Sequence, residues 1–205
     1  MSNESAPEAR RNESAPEARR NESAPEARRD RQRIAISGKS GCGNSTVSRL
    51  VAARLGLRMV NYTFKDLARD QGLSFDEICR RAETDQQYDL MIDRMQVELS
   101  REGGCVLGSR LAIWLLRETA FTVYLDAPIE VRAARIAKRE SKDLALALRE
   151  TEERDQRDHD RYRRLYGYDV NRFDFAALVI DAEVLGAEKI AETIVAQSGA
   201  MPGAG

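Results

Sequence analysis

Histidine and cysteine are scarce in this chain, and their scarcity excludes the commonest metal and disulfide chemistries. There is one histidine, His159, and there are three cysteines, Cys42, Cys79 and Cys105, in 205 residues. The cysteine number is odd and the spacing is neither paired nor metal-ligating, so zinc and a disulfide framework are not expected, and a reducing cytoplasm fits best. A run of ~18 apolar residues is missing, so no membrane span is expected. The N-terminus has no apolar signal core, so export is not expected either. Charge of one sign is also missing: 33 Lys and Arg face 34 Asp and Glu, net −1. A balanced chain has no general attraction for nucleic acid or anionic lipid. The expected partners are small molecules, and the expected state is a monomer.

Core-forming residues are missing from the start of the chain. The unit Asn-Glu-Ser-Ala-Pro-Glu-Ala-Arg-Arg recurs at 3–11, 12–20 and 21–29, neutral in charge and without an aromatic or branched aliphatic residue. It cannot bury enough apolar surface to offset the entropy of ordering, so residues 1–31 are expected to form a disordered tail. A docking arm for a partner is the alternative. The last residues, 199–205, are expected to be flexible as well.

What is present from Arg33 onward is a strand-and-helix alternation. Ile34-Ala35-Ile36-Ser37 reads as a buried strand, and Val47, Leu50, Val51 and Leu55 share one face of a following helix. Met59–Tyr62 suggests a short second strand. Small helices are expected near 64–70 and 75–82, with Ser74 capping the second. A longer helix near 85–102 carries the apolar stripe Tyr88, Met91, Ile92, Met95 and Leu99. Cys105–Leu107, Phe121–Leu125 and Leu178–Ile180 read as further strands. A highly charged helix spans about 142–165, and Ala187, Ile190, Ala191 and Ile194 mark a closing one. This order implies a parallel sheet of five strands covered on both faces, a three-layer α/β/α domain over about 32–198.

Between the first strand and first helix stands Gly38-Lys39-Ser40-Gly41-Cys42-Gly43-Asn44-Ser45-Thr46. Glycines at this junction let the backbone curl so that N–H groups point inward, and the helix N-terminus adds its dipole. The loop should bind the phosphates of ATP, with Ser45 or Thr46 offering a hydroxyl to Mg²⁺. It departs from GxxxxGK[ST] at one place. Asn44 stands at the lysine position, so Lys39 is the candidate for the missing cation. Cys42 is a small residue that fits the loop, although a helix N-terminus lowers a thiol's pKa.

Positive charge around two phosphates is what phosphoryl transfer requires. Arg94 flanks the apolar stripe of its helix. Arg110 follows a strand directly, at the carboxyl end of the sheet. Arg154, Arg157, Asp158 and Arg161 share one helix face at i, i+3, i+4 and i+7. By composition alone that face reads as a solvated surface laced by ion pairs.

The run Glu153–Arg161 resembles the lid helix of cytidylate kinases, with its R-x-x-R-D-x-x-R pattern. The resemblance extends over about 33–197. Ser109-Arg110-Leu111-Ala112-Ile113-Trp114 resembles the G-R-L-A-x-W run of the archaeal-type members. Ile92–Gln96, Tyr124–Pro128 with Arg132 and Arg135, and Tyr166-Gly167-Tyr168-Asp169 are similar in the same order. The resemblance implies a P-loop kinase fold with a helical nucleotide-binding insertion near 62–102 and a mobile lid near 139–168. It implies transfer of the γ-phosphoryl of ATP to CMP or dCMP. Lys65, Arg94 and Arg110, with Arg157, would hold the acceptor nucleotide. Lys39, Arg154, Asp158 and Arg161 would surround the transferring phosphoryl group, and the glycine loop with Ser45 would hold ATP and Mg²⁺. Two departures stand out. Lys65 replaces a common arginine and offers a point charge in place of a planar fork. Gly108-Ser109 stands where the family often has an acidic residue and a glycine. Another kinase of this fold, adenylate-kinase-like, and a non-catalytic nucleotide-binding regulator remain as rival readings. His159 is expected to be an exposed bystander, Trp114 to pack under the sheet edge, and Tyr162, Tyr166 and Tyr168 to serve lid packing or base stacking.

Overall fold

The computed structural model describes residues 31–199. The repeats and the last six residues, on which the expectation of disordered and flexible ends falls, lie outside them.

Five strands form one parallel sheet in the order β2-β3-β1-β4-β5. They are β1 (Arg33–Gly38), β2 (Arg58–Val60), β3 (Cys105–Gly108), β4 (Phe121–Asp126) and β5 (Leu178–Asp181). The central strand pairs Ile34 with Val106 on one side and with Phe121 on the other. Its Ile34, Ala35 and Ile36 are fully buried, as a strand covered on both faces requires. The chain runs outward from β1 to β2, returns to β3, then crosses to β4. The connections leaving β1 and β3 therefore part in opposite directions, and their carboxyl ends open a crevice.

On one face lie α1 (Asn44–Leu55) and α8 (Ala187–Ser198), which join Val47, Val51, Ile190 and Ile194 to the sheet. On the other face, α5 (Ala112–Leu115) and the end of α7 (Leu144–Tyr166) bring Ile113, Trp114 and Tyr162 against Ala35 and Tyr124. Trp114 meets Tyr124 and Phe175 edge-on, within the core. α6 (Ile129–Glu140) packs along α7, whose start is capped by Asp143 accepting from the Leu146 N–H.

Between β2 and β3, α2 (Phe64–Gln71), α3 (Phe75–Thr84) and α4 (Gln87–Ser100) form a helical lobe around Tyr62, Leu67, Ile78 and Ile92. Ser74 caps α3 through the Glu77 N–H. The α4 stripe runs contrary to expectation. Met91, Met95 and Leu99 are 37–39% exposed, and the buried face is Ile92, Gln96 and Ser100. The inward side of α4 borders a cleft as well as a core, and a cleft for a polar ligand selects polar residues. No helix among the described residues is long and apolar enough to cross a membrane.

Candidate active site

The crevice at the ends of β1 and β3 is a cavity of about 620 Å³. Its floor is the loop Gly38–Asn44 and the first turn of α1, its far wall is α4, and α7 borders its open side. Six cations line it, Lys39, Arg110, Arg135, Arg139, Arg154 and Arg161, against two acids, Asp89 and Asp93. That imbalance, in a chain of net charge −1, suits a ligand carrying several negative charges.

The loop curls because Gly41 and Gly43 adopt left-handed backbone, φ +87 and +97. A Cβ on Gly41 would also come within 2.6 Å of the Arg132 carbonyl oxygen, since the loop rests directly on α6. Arg132 is the loop's support. Its Nη1 donates to the Ser40 carbonyl at 3.2 Å and its Nε to the Ala127 carbonyl at 3.0 Å. Its fork meets Asp155 of α7 at 3.3 and 2.7 Å. Lys39 Nζ lies 3.8 Å from the same carboxylate. A buried guanidinium with this many acceptors is satisfied and rigid.

Arg110 spans the site. Nη2 donates to Ser40 Oγ at 3.1 Å, and Nη1 lies 2.9 Å from Asp158 of α7. Asp158 also accepts from Arg161 at 3.2 Å, and Arg161 continues to Asp89 of α4 at 3.1 Å. A chain of charges thus runs from the phosphate loop through α7 to the helical lobe. Asp89 is held above the ordinary carboxylate range by burial, with Arg161 pulling the other way. Asp93, which accepts from the Tyr166 hydroxyl at 2.5 Å, is pushed up to about 6, again mainly by burial.

The departures at Asn44 and at Gly108 meet at one residue, Ser48. Asn44 Oδ1 accepts from the Ser48 hydroxyl at 3.0 Å. A Cβ on Gly108 would sit 2.4 Å from that same hydroxyl oxygen. Helix α1 therefore packs so closely on the end of β3 that an acid at 108 has no room.

Several predicted residues converge here. Gly38, Lys39, Ser40, Gly41, Gly43, Asn44, Ser45, Thr46, Arg110, Arg154 and Arg161 all line the cleft, and Asp158 is tied to two of them. Cys42 lies buried beneath the loop, and burial raises its thiol pKa, so the helix end does not activate it. Lys65 is exposed, 5.8 Å from the Phe75 ring centre, and does not line the cleft. Arg94 is exposed on the outer side of α4 with the methionines. Arg157 does not line the cleft itself but borders an adjoining hollow with Arg110, Arg154, Asp158 and Arg161. His159 is more covered than expected, 3.6 Å from Asp169, and does not line the cleft. Sequence reasoning passed over Arg132 and Asp155 as site residues, and over Arg135, Arg139, Asp89, Asp93 and Gln96. The i, i+3 spacing of Asp155 to Asp158, and of Arg132 to Arg135, was the available signal for the first three of them.

Residues 33–184 match the model of the cytidylate kinase-like family. The chain belongs to that family. A cytidylate kinase 2 from Borreliella burgdorferi is 40% identical over 166 residues, 79% of this chain and 92% of that protein. A cytidylate kinase from Ignicoccus hospitalis is 40% identical over 164 residues, covering 78% of this chain and 95% of its own length. One from Pyrococcus horikoshii is 36% identical over 154 residues, 74% and 80% respectively. Among solved structures, shikimate kinase from Acinetobacter baumannii, in complex with shikimate, superposes with a TM-score of 0.58 at 18% identity, over 87% of this chain and 99% of that one. That likeness concerns the fold, which this cytidylate kinase-like chain shares with a kinase of another substrate. In this chain the glycine loop and the arginine after β3 meet at Ser40 and Arg110.

Proposed function

We propose that this chain is a cytidylate kinase that moves the γ-phosphoryl group of ATP to CMP or dCMP, giving ADP and CDP or dCDP. The observation that carries this reading is the position of Arg110, between Ser40 of the phosphate loop and Asp158 of α7. A cation at that junction faces both the donor's terminal phosphate and the acceptor's phosphate.

The geometry supports the following roles. The curled backbone at Gly38–Asn44 and Lys39 hold the ATP phosphates. Arg110, Arg154 and Arg161 gather the acceptor phosphate and the charge that develops on the transferring group. The lobe α2–α4 receives the acceptor nucleoside, and α7 acts as the lid. Asp155 and Asp158 keep Arg132, Arg110 and Arg161 oriented, since a phosphate oxygen acceptor needs little proton removal. Closure over both nucleotides excludes water and so suppresses ATP hydrolysis. The donors present suit Mg²⁺: the hydroxyls of Ser45 and Thr46 line the loop end, and hydroxyl and phosphate oxygens are hard ligands. Ser45 would hold the ion, which supplies charge neutralisation at the phosphates when bound. Asn44 brings no charge, so Lys39 is the loop's cation in this reading.

Release of ADP, measured with CMP, dCMP, UMP, AMP and GMP in turn, tests it. Turnover highest with CMP or dCMP is expected. Tight ATP binding with no transfer to any of the five would replace the kinase by a nucleotide-binding regulator.

A further inference from the structure

Helix α4 turns three hydrogen-bonding residues toward the cleft, Asp89, Asp93 and Gln96, spaced i, i+4 and i+7 on one face. Gln96 is 5% exposed. Its Nε2 donates to the Tyr62 carbonyl at 2.9 Å. A backbone carbonyl only accepts, so this bond decides which end of the amide is nitrogen. Tyr62 is itself fixed, its hydroxyl donating to Asp70 at 2.7 Å. The other end of the amide, Oε1, is buried and meets no donor among the described residues. A buried acceptor without a donor is rare in native proteins and asks for an explanation. Its neighbours on the face are acceptors already engaged, Asp89 with Arg161 and Asp93 with Tyr166. The phosphate end of the cavity is rich in donors, and this end is rich in acceptors. A ligand that fills both must bring oxygen to one and N–H to the other.

Pyrimidine bases differ at ring position 4, where cytosine carries an amine with two N–H donors and uracil a carbonyl. We propose that Gln96 Oε1 receives the exocyclic amine of the acceptor base, making Gln96 the residue that admits cytosine and rejects uracil. The proposal rests on the cytidylate kinase reading and adds the determinant of base choice. Asp93, three residues before Gln96 on the same face, is placed to share the amine's second N–H. Uracil would set its carbonyl oxygen against Oε1, leaving two acceptors facing each other and the buried oxygen still without a donor.

The test compares kcat/KM for CMP, UMP and the CMP analogue that carries hydrogen in place of the 4-amino group. The wild-type protein is expected to favour CMP over both by at least about tenfold. Gln96→Met keeps the volume and removes the acceptor, so it is expected to lose most of that preference through a raised KM for CMP. Gln96→Glu, with its carboxyl protonated so that the O–H donates to the Tyr62 carbonyl in place of Nε2, retains the acceptor oxygen and is expected to keep it. The KM for ATP serves as the control in each variant. Equal use of CMP and its deamino analogue by the wild-type protein overturns the proposal and requires no variant to fold. An undiminished CMP preference in folded Gln96→Met overturns it too. Transfer to none of the monophosphates would remove the kinase reading and the proposal with it, whereas transfer to CMP and UMP alike removes the proposal alone.

Discussion

The two ends of the cleft are built on opposite plans. The phosphate end is made of curled backbone and paired cations: Gly41 and Gly43 in left-handed conformation, Arg132 under the loop, Arg110 across it. The α4 end is made of side-chain acceptors on a regular helix, beside the buried Ile92 and with Met91, Met95 and Leu99 turned outward. On the proposed reading, the difference teaches what each half of a nucleotide demands. Phosphates are recognised by charge and by N–H groups that any sequence with the right glycines can present. A base is recognised by a few acceptors and donors, and these look like surface residues until the fold turns them inward.

The largest expected effect lies at the phosphate end. Arg110→Ala should lower kcat/KM by about 10⁴-fold, the range of an arginine that stabilises a transferring phosphoryl group. Arg110→Lys should recover only part of this, because a point charge cannot serve Ser40 and Asp158 together. Steady-state kinetics decides, and a loss no larger than that of any α4 variant would erase the contrast between the ends. Next comes Lys39→Ala, expected to reduce kcat by on the order of 10²-fold while leaving the melting temperature almost unchanged. An unaltered kcat would mean that the loop works without a cation.

Asp155→Ala should act on stability. It leaves the buried Arg132 without its carboxylate, and breaking such a pair costs about 3–5 kcal/mol. Denaturant unfolding measures it, and a loss under ~1 kcal/mol would show that water replaces the carboxylate readily. The smallest effect has the opposite sign. Asp93 binds its proton more tightly folded, near pH 6, than unfolded, near 3.8. Stability therefore falls as pH rises through that window, and the cost is complete above it. Asp93→Asn should stabilise the protein by about 1–3 kcal/mol at pH 8 and by nothing below about pH 4. A stabilisation equal at both pH values would place its origin elsewhere than in the carboxyl group.

The sheet and the loop were legible because their signals are local. Ile34–Ser37 followed by the glycines needs no partner to be read as a strand entering a phosphate-binding turn. The convergence of Arg110, Arg154 and Arg161 was legible by family resemblance, since their spacing alone also fits a solvated helix. The α4 stripe misled because periodicity marks a face without saying whether it looks at core or at solvent. Met91, Met95 and Leu99 met the pattern, and Arg94 was placed by reference to them, so both turned outward together. Lys65 failed to reach the cleft for a related reason. It lies in the first turn of α2, whose buried residues are Leu67 and Ala68, and its ammonium sits over Phe75. Arg132 and Asp155 were illegible as a pair, because 23 residues and a helix boundary separate two partners that meet only in space.

Ser48 couples the phosphate loop to the end of β3. Its hydroxyl holds the Asn44 amide and fills the volume beside Gly108. A lysine at 44 would forfeit that hydroxyl's acceptor, and an aspartate at 108 would collide with it. An acid at 108 therefore needs a smaller residue at 48, and a lysine at 44 leaves the Ser48 hydroxyl to find another acceptor. The three positions are coupled through one hydroxyl, a reason to engineer this loop in combinations of substitutions instead of one residue at a time.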